Sequence, residues 1–146
     1  MSVDVKPSLT LKRRYNAAPA KVFDAWTDPK KLARWFYAPG NEPVIAEADA
    51  RVGGRYRIVV RAASGEQYDV SGTFREVVPD RKLVFTWAWR STPERESLVT
   101  VELARDGDGT LLTLTHEQFF DEAARDRHRT GWAPILDRLD EMLPVL

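Results

Sequence analysis

Two histidines, His116 and His128, are the side chains of this 146-residue chain best suited to acid–base chemistry. The ordinary pKa of histidine lies near neutrality, so an imidazole exchanges protons readily at physiological pH. His116 has the strand parity of Leu112 and Leu114, and His128 shares a helical face with Trp132. These positions predict two inward-facing imidazoles near one cavity. There they would act as an acid–base pair, hold the polar end of a ligand, or simply hydrogen bond to neighbouring protein groups.

A catalytic pair needs a third group that orients it and a nucleophile or water site beside it. The inward positions nearby, such as Trp132 and Ile135, are apolar, and Asp121 is better explained as a helix cap. An apolar wall with one or two polar groups is typical of a site that orients a bound amphiphile. We therefore favour binding over catalysis. A small cyclase- or hydrolase-type enzyme using His116 or His128 remains an alternative.

Metal and cofactor sites are poorly supported by the sequence. It contains no cysteine and two histidines, and no carboxylates are spaced like a known ligand set. Gly53–Gly54 stands alone between predicted strands and is not a phosphate-binding loop. We expect neither a metal ion nor a cofactor.

Charge and hydropathy exclude several classes of partner. Lysine plus arginine and aspartate plus glutamate number 22 each, so the basic excess of nucleic-acid-binding proteins is absent. The basic run Lys12–Arg14 is better explained as the solvated face of a strand. No segment approaches the roughly 18 consecutive apolar residues of a membrane span, and no signal peptide is recognisable. We expect a cytoplasmic protein without integral membrane association.

Aromatic residues are the most distinctive part of the composition, with five tryptophans, four tyrosines and six phenylalanines. They fall in apolar-patterned segments, where they would form a plain core or line a pocket. The predicted lining of a ligand cavity consists of Phe23, Trp26, Trp35, Tyr56, Tyr68, Phe85, Trp87, His116, His128, Trp132 and Ile135.

The order of predicted elements is one strand, two short helices, six further strands and one long helix. Leu9–Tyr15 is the first strand, and Pro19 and Pro29 stand where helices begin. Residues 55–61 and 83–89 alternate as strands do, and short connections between strands favour antiparallel pairing. This order predicts an α+β domain with a curved antiparallel sheet of about six to seven strands.

The C-terminal segment predicts the element that covers this sheet. Asp121 can cap a helix that runs to the chain end, with an apolar stripe comprising His128, Trp132, Ile135, Leu136, Leu139 and Leu143. We expect this helix to pack on the concave face of the sheet. The whole chain, residues 1–146, then forms a single domain with a flexible tail at residues 1–8.

Several short segments carry a resemblance to a known family. They are, in order, Ala18–Pro29, Leu32 with Trp35, Gly53–Tyr56, Gly72 with Phe74–Pro79, Leu83–Trp87, Leu112–Glu117 and Gly131–Trp132. As an ordered set they resemble the START-like superfamily, also called SRPBCC or birch-pollen-allergen-like. More narrowly, the chain is similar to the activator of heat-shock protein 90 ATPase homologues. Gln118 departs from the family pattern, which often has glycine after His-Glu.

This resemblance implies a helix-grip fold, in which the curved sheet wraps around the long helix and encloses a cavity. It leaves the function open, because such proteins include carriers of hydrophobic molecules, cyclases and chaperone-activating domains. Our hypothesis is that the chain binds a small apolar or amphipathic ligand between sheet and helix. A co-chaperone module that stimulates a chaperone ATPase is the first alternative, which would make that ATPase a partner.

Overall fold

The computed structural model describes residues 6–146. In chain order the elements are β1 (Leu9–Tyr15), α1 (Pro19–Thr27), α2 (Pro29–Trp35), β2 (Glu42–Ala48), β3 (Arg55–Arg61), β4 (Gln67–Val78), β5 (Lys82–Trp89), β6 (Ser97–Asp106), β7 (Gly109–Glu117) and α3 (Glu122–Met142), followed by a 3-10 turn at Leu143–Val145. The predicted order of elements is therefore confirmed. The predicted tail falls mainly on residues 1–5, outside the described residues.

Local sequence signals explain where the helices begin. Pro19 and Pro29 occupy first-turn positions of α1 and α2, where the missing N–H of proline costs no helical bond. The Asp28 carboxylate accepts a hydrogen bond from the Lys30 backbone N–H and so caps α2. Asp121 caps α3 in the same way, by accepting from the Ala124 N–H at 2.8 Å.

The strands form one antiparallel sheet in the order β1-β7-β6-β5-β4-β3-β2. From β2 to β7 each strand pairs with the next along the chain, as the short connections predict. β1 pairs with β7 and forms the edge of the sheet opposite β2. The sheet is strongly curled, and the α+β helix-grip fold predicted from the sequence is confirmed.

The middle of β4 contains a close backbone approach and a separate bulge. A Cβ atom added to Gly72 would collide with the Thr86 carbonyl oxygen, so this position requires glycine. The irregularity in the β4–β5 pairing lies between Phe74 and Glu76, which leaves Arg75 as the extra residue.

α3 packs on the concave face of the sheet through most of its predicted stripe. Trp132, Leu136 and Leu139 are fully or almost fully buried. The Tyr15 hydroxyl of β1 donates to the Leu136 carbonyl at 3.0 Å, which ties the helix to the sheet edge. His128, also on the stripe, is only partly buried because the space in front of it is not filled by protein.

Candidate functional site

A cavity of about 490 Å³ lies between α3, strands β3 to β5 and the loop that follows α2. We call it the main cavity. Its lining comprises Phe36, Tyr37, Ala38, Asn41, Ile58, Val60, Tyr68, Val70, Trp87, Trp89, Arg127, His128, Thr130, Gly131, Trp132 and Ile135. The volume falls within the range of roughly 300–1,000 Å³ that is typical of small-molecule sites.

The structure brings five of the eleven predicted lining residues together in this cavity. They are Tyr68, Trp87, His128, Trp132 and Ile135. These residues come from two strands and the C-terminal helix, and their shared inward faces were visible in the periodicity of each element.

The main cavity also contains residues that the sequence interpretation missed. Ile58, Val60 and Val70 follow the same alternation as the tyrosines of β3 and β4, so their parity was a usable signal. Phe36 and Asn41 belong to the loop after α2, whose path no periodic pattern indicates. Their positions depend on how the loop packs against distant elements.

Three predicted lining residues, Trp26, Tyr56 and Phe85, lie instead around a void of about 20 Å³. A void of this size holds no more than about one water molecule, so these side chains are core. Aromatic packing fills the space between them, as the edge-on contact of Tyr56 with Phe85 illustrates, with ring centroids 5.3 Å apart.

Trp35, Phe23 and His116 lie outside the lining of the main cavity. The Trp35 ring is fully buried, and its indole N–H donates to the Ala25 carbonyl at 2.8 Å, which fixes α2 against α1. Phe23 is partly buried on α1 and packs against the hydrophobic core.

His116 is fully buried at the end of β7, as its strand parity predicts. Its Nδ1 accepts a hydrogen bond from the Trp132 indole N–H at 3.0 Å, so the other nitrogen, Nε2, carries the proton in the neutral ring. Nε2 then donates to the Ser97 hydroxyl at 2.7 Å, and that hydroxyl donates to the Trp87 carbonyl. Burial, with the nearby His128, lowers the pKa of His116 to about 2. The ring is therefore neutral at physiological pH.

His128 is also held as a neutral ring, at the edge of the main cavity. Its Nδ1 lies 2.6 Å from the Ala124 carbonyl and donates to it, while Nε2 accepts from the Trp89 indole N–H at 2.9 Å. Burial is the main cause that lowers the pKa of His128, and the positive charge of Arg127 acts in the same direction.

These bonds determine what the two histidines can do. All four ring nitrogens have protein partners, and each pairing stabilises one tautomer of the neutral ring. A ring in this state orients its neighbours and has no nitrogen left for a substrate. The two imidazoles are thus better explained as structural groups that hydrogen bond to their neighbours than as catalytic groups.

Few of the residues that line the main cavity carry strongly polar side chains. Arg127 and Asn41, whose side chains end in a guanidinium and an amide, are among them. Pro134 has no N–H, so the Thr130 carbonyl, four residues earlier, lacks its usual helical donor. Thr130 is among the residues that line the main cavity.

A second space of about 250 Å³, which we call the side cavity, lies next to the main cavity. Its lining comprises Trp87, Trp89, Ser91, Thr92, Arg95, Ser97, Phe119, Phe120, Ala124, Arg127 and His128. Trp87, Trp89, Arg127 and His128 line both spaces and form the wall between them, which we call the shared wall. The Trp89–His128 hydrogen bond runs within this wall.

Two further searches covered residues 6–146. No group of three or more histidine, aspartate or glutamate side chains in this range lies close enough to hold a metal ion. Within the same described range, no helix is both long enough and apolar enough to cross a membrane.

The curled sheet, the two short helices and the C-terminal helix over a cavity define a START-like protein. The family model for the activator of Hsp90 ATPase homolog 1-like proteins matches residues 16–144, and the chain belongs to this family. The chain is also 24% identical over 124 residues to the human activator of 90 kDa heat shock protein ATPase homolog 1. The match covers 85% of this chain and 33% of the human protein, so the chain spans about a third of that relative.

Solved structures support the same assignment. A protein from Chromobacterium violaceum is 28% identical to this chain and superposes with a TM-score of 0.84. The match covers 93% of this chain and 96% of the Chromobacterium chain. The AHSA1 protein from Silicibacter pomeroyi is also 28% identical, with a TM-score of 0.85 and coverage of 95% and 99%. CalU16 from Micromonospora echinospora is 32% identical, with a TM-score of 0.70 and coverage of 94% and 76%.

Proposed function

We propose that this protein binds a small apolar or amphipathic molecule in the main cavity. The observation that carries the proposal is a space of about 490 Å³ walled mainly by aromatic and aliphatic side chains. Protein interiors leave few voids larger than a water molecule. An apolar space of this size is therefore better explained as a ligand-binding site than as a packing void. The few polar groups of the lining would orient that occupant.

Gly131 offers a direct test of this proposal. It lies one helical turn after Arg127 and one turn before Ile135, and all three line the main cavity. A Cβ atom added to Gly131 would meet nothing within 4 Å. Gly131→Leu should therefore place a side chain in the cavity without disturbing the fold, because leucine is also a better helix former than glycine.

The measurement is titration with N-phenyl-1-naphthylamine, a neutral dye that fluoresces in apolar surroundings. Gly131→Leu should weaken binding about tenfold or more, because overlap with the new side chain costs at least about 1–3 kcal/mol. Glu141→Leu, an exposed position outside the main cavity on the same helix, is the matched control and should bind like the wild type. Equal dye affinity in all three proteins would contradict binding in the main cavity.

Stimulation of a chaperone ATPase is the second candidate function. It is favoured by membership of the family and by the similarity to the human ATPase activator homolog. The test is the ATP turnover of a purified heat-shock protein 90 chaperone from the same organism, with and without this protein. A rise in turnover that saturates with added protein would support this function, and unchanged turnover would argue against it.

Gly131→Leu also separates the two candidates. The substitution changes one exposed residue of the main cavity lining and leaves every other surface side chain as it is. A docking function should therefore survive in this variant, whereas ligand binding should not.

A further inference from the structure

We infer that the ligand is an amphiphile whose head group is an oxyanion, such as a carboxylate, and that Arg127 binds this head group at the shared wall. This inference rests on the proposed function and specifies the chemistry of the molecule bound. The apolar tail lies in the main cavity, and the head group lies at the end of that cavity next to the side cavity.

The first observation is the charge of the two cavities. The whole chain is balanced, with 22 basic and 22 acidic side chains. Among the described residues that line either cavity, the charged ones are Arg127 and Arg95, and no aspartate or glutamate is among them. Both arginines are exposed. A site whose charged groups all have one sign favours a ligand of the opposite sign.

The second observation concerns the state of the Arg127 guanidinium. It has neither an ion pair nor a hydrogen bond to any other side chain of residues 6–146. Arg125 pairs with Asp126 at 3.1 Å and Arg138 bonds to Tyr37, whereas Arg129, like Arg127, has no such partner among residues 6–146. Arg127 differs from Arg129 in lining both cavities. The Arg127 donors, on an exposed residue, are therefore available to a molecule that enters the cavity.

The position of Arg127 is the third observation. It is the one charged residue that lines both cavities within the described part of the chain. Its positive charge also reaches His128, whose pKa it lowers. Because His128 is neutral and its nitrogens are bonded to Trp89 and Ala124, it does not compete for the head group.

Arg95 adds a second cation at the side cavity. Its guanidinium lies over the Phe120 ring at 3.9 Å from the ring centre, and Phe120 is 59% exposed. Stacking of this kind holds the guanidinium in place and leaves its in-plane N–H donors free to bind an anion. An oxyanion at the shared wall would thus meet Arg127 directly and lie on the same side as Arg95.

The experiment compares two ligands with the same tail, decanoate and decanol, by calorimetric titration at pH 7.5. The variant Arg127→Gln keeps a polar side chain and removes the charge. Arg129→Gln is the matched control, because Arg129 lies two residues away on the same helix and lines neither cavity. Far-ultraviolet circular dichroism verifies that both variants fold.

Arg127→Gln should weaken the binding of decanoate about tenfold, the effect of one charge-assisted hydrogen bond. It should change the affinity for decanol by less than about twofold, and Arg129→Gln should change neither. If decanol binds and Arg127→Gln leaves the affinity for decanoate unchanged, the inference is overturned while the proposed function stands. If neither ligand binds to the wild-type protein, both the inference and the proposed function fail.

Discussion

At the scale of single residues, a chain of buried hydrogen bonds around His116 joins three elements. Trp132 on α3 donates to His116 on β7, and His116 donates to Ser97 on β6. All three residues are buried, so each bond replaces contacts with water that folding removes. The network fixes the position of α3 along strands β6 and β7. It thereby also fixes the position of Trp132 in the wall of the main cavity.

We predict that Trp132→Phe lowers the free energy of unfolding by about 1–3 kcal/mol more than Trp26→Phe does. Both tryptophans are almost fully buried, at 2% and 3% exposure, and both variants lose the same ring volume. The indole N–H of Trp26 has no hydrogen-bond partner in the described part of the chain, whereas that of Trp132 bonds to His116. Urea denaturation of the three proteins measures the difference, and equal losses would show that the bond to His116 contributes nothing.

His116 also predicts a specific dependence of stability on pH. The folded state holds its pKa at about 2, while the unfolded chain takes up a proton near the ordinary value of 6.5. As pH falls below about 6.5, only the unfolded state gains this proton, so stability should fall by about 1.4 kcal/mol per pH unit from this group. Above that pH both states are neutral and the contribution is constant.

The measurement is urea denaturation between pH 7.5 and 4.5 for the wild type and His116→Gln. The variant should be less stable at pH 7.5, because glutamine restores the hydrogen bonds only in part, yet its stability should decline less steeply with acid. Parallel declines in the two proteins would contradict a neutral, buried His116.

At the scale of elements, the connection between β7 and α3 decides where the helix starts. Gln118 has a φ of 66° in this connection, in the left-handed region where glycine is favoured. The next residue, Phe119, is buried, and its N–H donates to the Pro7 carbonyl at 3.2 Å. Glutamine therefore adopts a backbone conformation that glycine adopts more readily.

We predict that Gln118→Gly stabilises the protein by about 0.5–1 kcal/mol. A non-glycine residue in the left-handed region costs roughly 1–2 kcal/mol of folding free energy, and Gln118→Gly removes this cost. Glycine is also more flexible in the unfolded chain, which offsets part of the gain in stability. The melting temperature should rise by about 1–4 °C. Gln67→Gly, at the exposed start of β4, is the control and should lower it, because glycine weakens an extended strand.

At the scale of the whole molecule, the main cavity links ligand binding to stability. The cavity is bordered by α3, by the loop after α2 and by three strands, so an occupant contacts elements from most of the chain. Unfolding separates these elements and abolishes the site. A ligand that binds only the folded state must therefore raise the free energy of unfolding.

We predict that decanol at about 100 times its dissociation constant stabilises the wild-type protein by about 2.7 kcal/mol. This corresponds to a rise in melting temperature of about 5–11 °C for a domain of this size. Gly131→Leu, whose affinity should be lower by about tenfold or more, should be stabilised by no more than about 1.4 kcal/mol at the same decanol concentration, which is at most about half the wild-type rise. A similar rise in both proteins, followed by differential scanning calorimetry, would indicate that decanol binds elsewhere.

The amino-acid sequence by itself determined the elements, their order and the face that each one buries. These properties follow from local periodicity and capping, as at Asp121 and in the stripe through Trp132 and Leu139, and the structure confirms them. The inward direction of His116 followed from its parity with Leu114 in the same way. Such signals are local, because alternation and helical spacing involve residues only a few positions apart.

Only the tertiary structure decided which inward-facing aromatic side chains meet a solid core and which meet an open space. Trp35 and Trp132 have similar apolar contexts in the sequence, yet only Trp132 lines the main cavity. The contribution of Asn41 and the position of Arg127 at the shared wall were likewise not predicted. The physical reason is that a cavity is the volume left between elements distant in sequence, and it depends on their separations and on all of their side chains together.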